Sequence, residues 1–264
     1  MKWKEFLIVP LLTITIAAIA LFHYQFERQL TPLEPTFERP PDFKSYSNVK
    51  QKKLDFFSFM LPLVRNANKS VHEDRKFLLG IQEVKGTLSS SNKVKLKGLL
   101  RKYNLNDGGE VIQQVDELLN RADIVPASLI LAQSANESAW GTSRFATDAN
   151  NFFGIWCFSL GCGLTPRNRD EGLHHEVAKF ESIQAGVIHY VHTINTHSAY
   201  QNLRNMRSQE RQANQPLSGI KLANGLVRYS EWGLAYVQEI QAMIRYNELQ
   251  HYNLEDTAVD QSAE

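Results

Sequence analysis

The chain has 264 residues, 43% of them hydrophobic and 22% charged, with 29 Lys+Arg against 28 Asp+Glu. That apolar fraction excludes disorder throughout, and a formal charge of +1 excludes a strongly cationic nucleic-acid binder. Two cysteines cannot build a disulfide-dense scaffold or a four-cysteine zinc site.

The first element is Phe6 to Phe22, a run of 17 residues without charge that is preceded by Lys2 and Lys4. This is the layout of a signal anchor or a signal peptide, at the short edge of the roughly 20 residues that span a membrane. Ala18-Ile19-Ala20 resembles a cleavage site, but Leu21 and Phe22 prolong the apolar run, which favours an uncleaved anchor. The flanking lysines place the N-terminus in the cytoplasm and everything after residue 22 outside it. Residues 23–52 read as a linker, because Pro32, Pro35, Pro40 and Pro41 fix φ and keep the segment extended.

Residues 53–109 read as a helical basic region. Phe56, Phe57, Met60, Leu61 and Val64 recur at helical spacing, and Pro62 is expected to kink or split that helix. Ser70-Val71-His72-Glu73 has the pattern of a capping box opening a second helix with Phe77, Leu78 and Ile81. Ser89-Ser90-Ser91 precedes a third helix, Val94 to Tyr103. The basic excess suits either an anionic polymer or an ordinary solvated face.

Residues 110–254 carry the chemistry, and 255–264 read as an acidic tail. Val111, Val115, Leu118 and Ala122 mark one face of a helix, and Pro126 opens the next, stopped by Gly141. Glu137 falls in the last turn of that helix, where the negative end of the helix dipole disfavours ionisation. Apolar surroundings would raise its pKa further, as a carboxylic general acid requires.

The string Ala135-Asn136-Glu137-Ser138-Ala139-Trp140-Gly141-Thr142-Ser143, followed by Asn150-Asn151-Phe152-Phe153-Gly154-Ile155, resembles the glucosaminidase domain of bacterial peptidoglycan hydrolases (glycoside hydrolase family 73). Within that family the chain looks most like the Bax branch of Gram-negative bacteria, through its export segment, Cys-x4-Cys and the stretch Asn195 to Tyr200. The resemblance implies a mainly α, lysozyme-like α+β fold, with a helical lobe and a small β-hairpin lobe flanking a glycan groove. It implies that Glu137 protonates the glycosidic oxygen between N-acetylglucosamine and N-acetylmuramic acid. Ser138, Trp140 and Ser143 match positions around the helix end, and Asn151, Phe153 and Gly154 match the groove wall. Trp156 offers either a sugar-stacking face or a core contact.

A later family segment, Tyr-Ala-Thr-Asp-Pro-x-Tyr, corresponds to Tyr229 through Tyr236, with the tyrosines one residue farther apart and the Asp-Pro missing. Tyr229 carries over as the catalytic-site tyrosine, and Tyr236 as a binding or packing residue. A second carboxylate is expected from the β-lobe, the candidates being Glu176, Asp170 and Glu171, unless the substrate's acetamido group supplies the nucleophile. Asp170-Glu171-Gly172 also reads as a hairpin turn. For an exported chain, Cys157 and Cys162 are expected to close a disulfide, with two free thiols as the alternative. No cofactor and no metal are expected: His189 and His192 share a helix face, but the His-Glu-x-x-His pattern is absent. The expected partners are peptidoglycan glycan strands, and the membrane through residues 6–22. The competing functions are a muramidase or lytic transglycosylase on the same fold, and a non-catalytic wall-binding module.

Overall fold

In the computed structural model the described residues are 39–83, 87–167, 169 and 172–253. The apolar run at 6–22, most of the linker, Asp170, Glu171 and the acidic tail lie outside them. Nine α-helices, three short 3-10 turns and one small sheet are seen among the described residues. The fold is mainly α with a small antiparallel β part.

The longest helix, α1 (Val49–Gln82), starts where Asn48 Oδ1 accepts from Gln51 N at 3.1 Å. Two expectations fail along its length. Pro62 neither ends nor divides it, and Ser70 sits exposed within it instead of capping a new helix. A proline in a helix interior costs about 3 kcal/mol. That cost is outweighed because Phe56, Phe57, Phe59, Met60, Leu61 and Val64 are all buried around it, at roughly 1.5–3 kcal/mol for a large side chain. Past the proline, buried Asn68 donates to Val125 O at 2.8 Å and accepts from Val125 N at 3.2 Å, which ties the helix to the neighbouring chain.

The two halves of α1 enter different apolar clusters. The first half packs with α4 (Ala127–Glu137), α6 (Ile183–Thr196) and α9 (Leu234–Tyr246). Leu78 and Ile81 of the second half pack with α2 (Ser90–Lys102) and α3 (Val111–Arg121). Ordered chain also reaches farther upstream than the proline pattern suggests. Phe43, only 3% exposed, packs against Tyr46, Phe56 and Phe59.

After α4 the backbone turns sharply through Ala139, Trp140 and Gly141, all at positive φ, and Ser138 Oγ accepts from Gly141 N at 2.8 Å. A Cβ at Gly141 would sit 2.4 Å from the Phe43 ring. Gly141→Ala is therefore expected to cost about 1–3 kcal/mol by overpacking, besides the strain of its φ of +75°, and to lower the thermal unfolding midpoint by several degrees. An unchanged midpoint would mean that Phe43 swings aside freely.

Short α5 (Arg144–Ala149) is capped by Ser143, whose Oγ accepts from Ala146 N at 3.1 Å. The sheet follows, in order β1-β3-β2, from β1 (Trp156–Cys157), β2 (Gly163–Leu164) and β3 (Glu176–Ala178). All pairings are antiparallel, with Trp156 opposite Val177 and Leu164 opposite Val177 on the other edge. Cys157 and Cys162 form a disulfide. The chain closes through α7 (Gln201–Gln212), the short α8 (Gly219–Leu222), α9 and a final 3-10 turn, Leu249–Asn253.

A buried charge cluster joins α1, α3, α6 and α7. Asp123, just beyond α3, is 2% exposed and meets Arg211 at 2.9 Å, Arg75 at 3.4 Å and Arg207 at 3.9 Å. Arg207 also donates to Asn195 Oδ1 at 2.7 Å and to the carbonyls of Asp123 and Asn120 at 2.8 and 3.0 Å. The guanidinium thus satisfies carbonyls left open at the C-terminal end of α3.

Candidate active site

The site forms where the end of α4, the loop Asn150–Ile155, α6 and the start of α9 converge. Glu137 lines a cleft of about 670 Å³ together with Phe153, Gly154, Trp156, Phe158, His189, Tyr190, Tyr200, Tyr229, Glu231 and Trp232. Its carboxyl pKa is raised. Burial is the largest cause; hydrogen bonds from Tyr236 and Asn136 pull it back, and the charge of Glu239 adds to the rise. The carboxyl is therefore held in the protonated form to a higher pH than an exposed glutamate.

The Asn-Asn-Phe-Phe-Gly loop is braced from within by Asn151, which is 1% exposed. Its Oδ1 accepts from Phe153 N and Ile155 N at 3.2 and 3.1 Å, and its Nδ2 donates to the carbonyls of Ile155 and Ala178 at 2.9 and 2.8 Å. This brings Gly154, at φ +62°, so close to Glu137 that a Cβ there would stand 3.2 Å from Oε2. Only glycine lets the backbone run past the carboxylate.

Four tyrosines surround Glu137. Tyr229 and Tyr236 stack in parallel with ring centroids 5.4 Å apart, and Tyr190 stacks on Phe153 at 4.2 Å. Their hydrogen-bond partners differ. The Tyr229 hydroxyl donates to Phe153 O at 2.7 Å and so holds the loop, whereas the Tyr236 hydroxyl accepts from Gln133 Nε2 at 2.8 Å. Burial pushes Tyr200 up to about 12 and raises Tyr190, Tyr229 and Tyr236 as well, so all four stay neutral near pH 7.

The other expected binding residues divide into two groups. Phe153, Gly154 and Trp156 line the cleft with Glu137, and Trp156 is 53% exposed, stacked on His175 at 4.1 Å. Ser138, Trp140, Ser143 and Asn151 stand behind it. Ser138 is fully buried as a turn acceptor, Ser143 caps α5, and the Trp140 ring faces Phe56, Phe57 and Lys53 of α1. These residues shape the turn after Glu137, the start of α5 and the Asn150–Ile155 loop, and none of them lines the cleft.

Of the expected second carboxylates, Glu176 is 6% exposed on β3 and accepts from Gly161 N at 3.2 Å and Gly163 N at 2.8 Å. It braces the disulfide loop and does not line the cleft, because its register opposite Cys157 points its carboxylate at that loop. Among the described residues Glu231 is the other carboxylate on the cleft wall, two residues after Tyr229. The described residues hold one cluster of metal-ligand type, Cys157, Cys162 and Glu176, and its two sulfurs are bonded to each other.

Sequence reasoning missed Trp232, 71% exposed on the cleft wall, and Gln133, which is fully buried one turn before Glu137. The i, i+4 spacing on one helix face was the signal for Gln133. Trp232 had none, since it replaces the Asp-Pro of the pattern.

A carboxylic acid with a raised pKa, in a groove walled by aromatic rings, defines the class. The family model for glucosaminidase, described as mannosyl-glycoprotein endo-beta-N-acetylglucosaminidase, matches residues 112–249, and the chain belongs to this family. It is also 30% identical over 209 residues to Protein bax of Escherichia coli strain K12, covering 79% of this chain and 74% of that protein. No solved structure matches the chain.

Proposed function

We propose that this protein is a peptidoglycan hydrolase, a β-N-acetylglucosaminidase that cleaves the β-1,4 linkage from N-acetylglucosamine to N-acetylmuramic acid. The observation that carries this reading is Glu137, half-buried with a raised pKa, lining an aromatic-walled cleft within a chain of the glucosaminidase family. Glu137 acts as general acid and gives its proton to the leaving glycosidic oxygen. Tyr236 steadies the carboxylate left behind, and Tyr229 holds the Gly154 loop against it. Trp156 and Trp232 offer flat apolar faces to sugar rings from the groove walls.

Residues 6–22 anchor the chain in the membrane and set its catalytic part outside the cytoplasm, in the cell envelope; the support is their unbroken apolar run behind Lys2 and Lys4. They lie outside the described residues, among which no helix is long and apolar enough to cross a membrane.

Digestion of purified peptidoglycan tests the linkage. The expected fragments carry N-acetylglucosamine at the new reducing end, read by mass spectrometry after borohydride reduction. A new muramic acid or anhydro-muramic acid end would assign the chain to the muramidase or transglycosylase reading. Binding without any fragment release would leave the wall-binding module.

A further inference from the structure

A second hollow, of about 620 Å³, lies beside the catalytic cleft with α6 between them. Thr193 lines the cleft, Ile188 and His192 line the hollow, and His189 lines both. Positions 188 and 192 are one turn apart on one face of α6, and 189 and 193 one turn apart on the next. His189 therefore stands on the ridge between the two. The floor of the hollow is apolar: Val71 of α1 and Val191 are buried, and Ile188 is 49% exposed beside them. Its rim carries both signs of charge. Lys179 and Glu181 follow β3 and are exposed, and Lys102 stands at the end of α2, where Asp74 pairs with it. His192 Nε2 donates to Lys102 O at 2.6 Å, which ties the end of α2 to α6. Lys179 and Glu181 line the hollow and not the cleft, so a bare sugar chain held at Glu137 leaves them unused.

Peptidoglycan is not a bare sugar chain. Its muramic acid carries a short peptide with alanine methyl groups, free carboxylates and one side-chain amine, and this stem hangs from the sugar beside the scissile linkage. The hollow shares a wall residue with the cleft, offers an ammonium and a carboxylate on its rim, and has an aliphatic floor. That set of groups is complementary to the stem. We infer that the hollow is a binding site for the stem peptide: Lys179 takes a peptide carboxylate, Glu181 the side-chain amine, and Val71, Ile188 and Val191 the alanine methyl groups. The protein then selects peptide-bearing strands over bare glycan. The choice of ligand rests on the proposed reaction, but binding of the peptide is measurable without catalysis.

The first measurement is calorimetric titration of the full chain, in detergent and carrying Glu137→Gln, with the soluble stem tetrapeptide (L-Ala, D-Glu, meso-diaminopimelate, D-Ala). Binding is expected, and adding Lys179→Glu is expected to weaken it by about 10-fold, the scale of one hydrogen bond to a charged group. Amidating the peptide's carboxylates should weaken it as much. Glu181→Gln, or acetylation of the amine, should have the smaller effect of an exposed pair, up to about 5-fold. The second measurement is the ratio of kcat/KM on soluble peptide-bearing strands to that on strands stripped of peptide by an amidase. The wild type is expected to favour peptide-bearing strands by about 10-fold, through KM, and Lys179→Glu to bring the ratio towards one. No peptide binding, equal binding of the amidated peptide, or an unchanged strand preference in Lys179→Glu would overturn the inference. Should Lys179→Glu fail to fold, Ile188→Ser is expected to weaken the peptide through the floor of the hollow, and wild-type affinity there also overturns it. Cleavage of neither kind of strand would instead overturn the glycosidase reading and leave the peptide titration standing.

Discussion

Replacing Glu137 by Gln is expected to slow glycan cleavage by ~10²–10⁴-fold, the usual contribution of a positioned general acid. The amide keeps the shape of the side chain but has no acidic proton to give, so the loss falls on kcat. Wild-type cleavage should decline as the pH rises through the raised pKa of Glu137, because the protonated carboxyl is the active form. The same shift has a consequence for stability. A carboxyl whose folded pKa lies above its ordinary value of 4.5 contributes stability that is fully present below that value and is lost as the pH rises through the folded pKa. Glu137→Gln never ionises, so it should match the wild type in acid and melt higher at neutral pH. Muropeptide release and thermal unfolding between pH 4 and pH 8 check both parts. Release at the wild-type rate would remove Glu137 from the reaction.

The second large effect is on the fold. Asp123→Asn is expected to cost about 3–5 kcal/mol, because it leaves a buried arginine without its counter-charge. For a chain of this size that is a drop of roughly 6–20 °C in the unfolding midpoint. Burial alone would raise the Asp123 pKa, but Arg207, Arg75 and Arg211 together outweigh it and hold the carboxyl below its ordinary value of 3.8. Stability from this group is therefore present above 3.8 and lost as the pH falls through the lower folded pKa. Burial likewise lowers Arg207, to about 10, against the opposing pull of Asp123. A midpoint unmoved by Asp123→Asn would show that the carbonyls around Arg207 suffice to hold it.

Helices set by local patterning were legible. The helix expected at Val94 to Tyr103 is present as α2, starting at Ser90 with Ser89 as its cap, and α3 buries Val115 and Leu118 of the expected face. Capping and periodicity act within a few residues, so they leave a mark in the string. Pro62 and Ser70 misled for the complementary reason. Their local preferences are worth a few kcal/mol, and burial of α1 along its whole length outweighs them.

The site was legible in part. Glu137 stands out by its motif and its place at a helix end, and Phe153, Gly154 and Trp156 share its cleft. The different partners of Tyr229 and Tyr236 were not legible, since they depend on which hydroxyl reaches Phe153 O, 76 residues away along the chain, and which meets Gln133.

By itself, then, the sequence determined the helices after α1, the motif that names the family and the carboxylate at its centre. These depend on short spacings and on residue types that few other contexts require. Only the tertiary structure decided that Ser138, Trp140, Ser143 and Asn151 brace the turn from behind, that Glu176 is bound to the disulfide loop, and that Gln133 joins Tyr190 to Tyr236. Each of those outcomes is a matter of which donor meets which acceptor across elements distant in the chain, and burial makes that pairing obligatory.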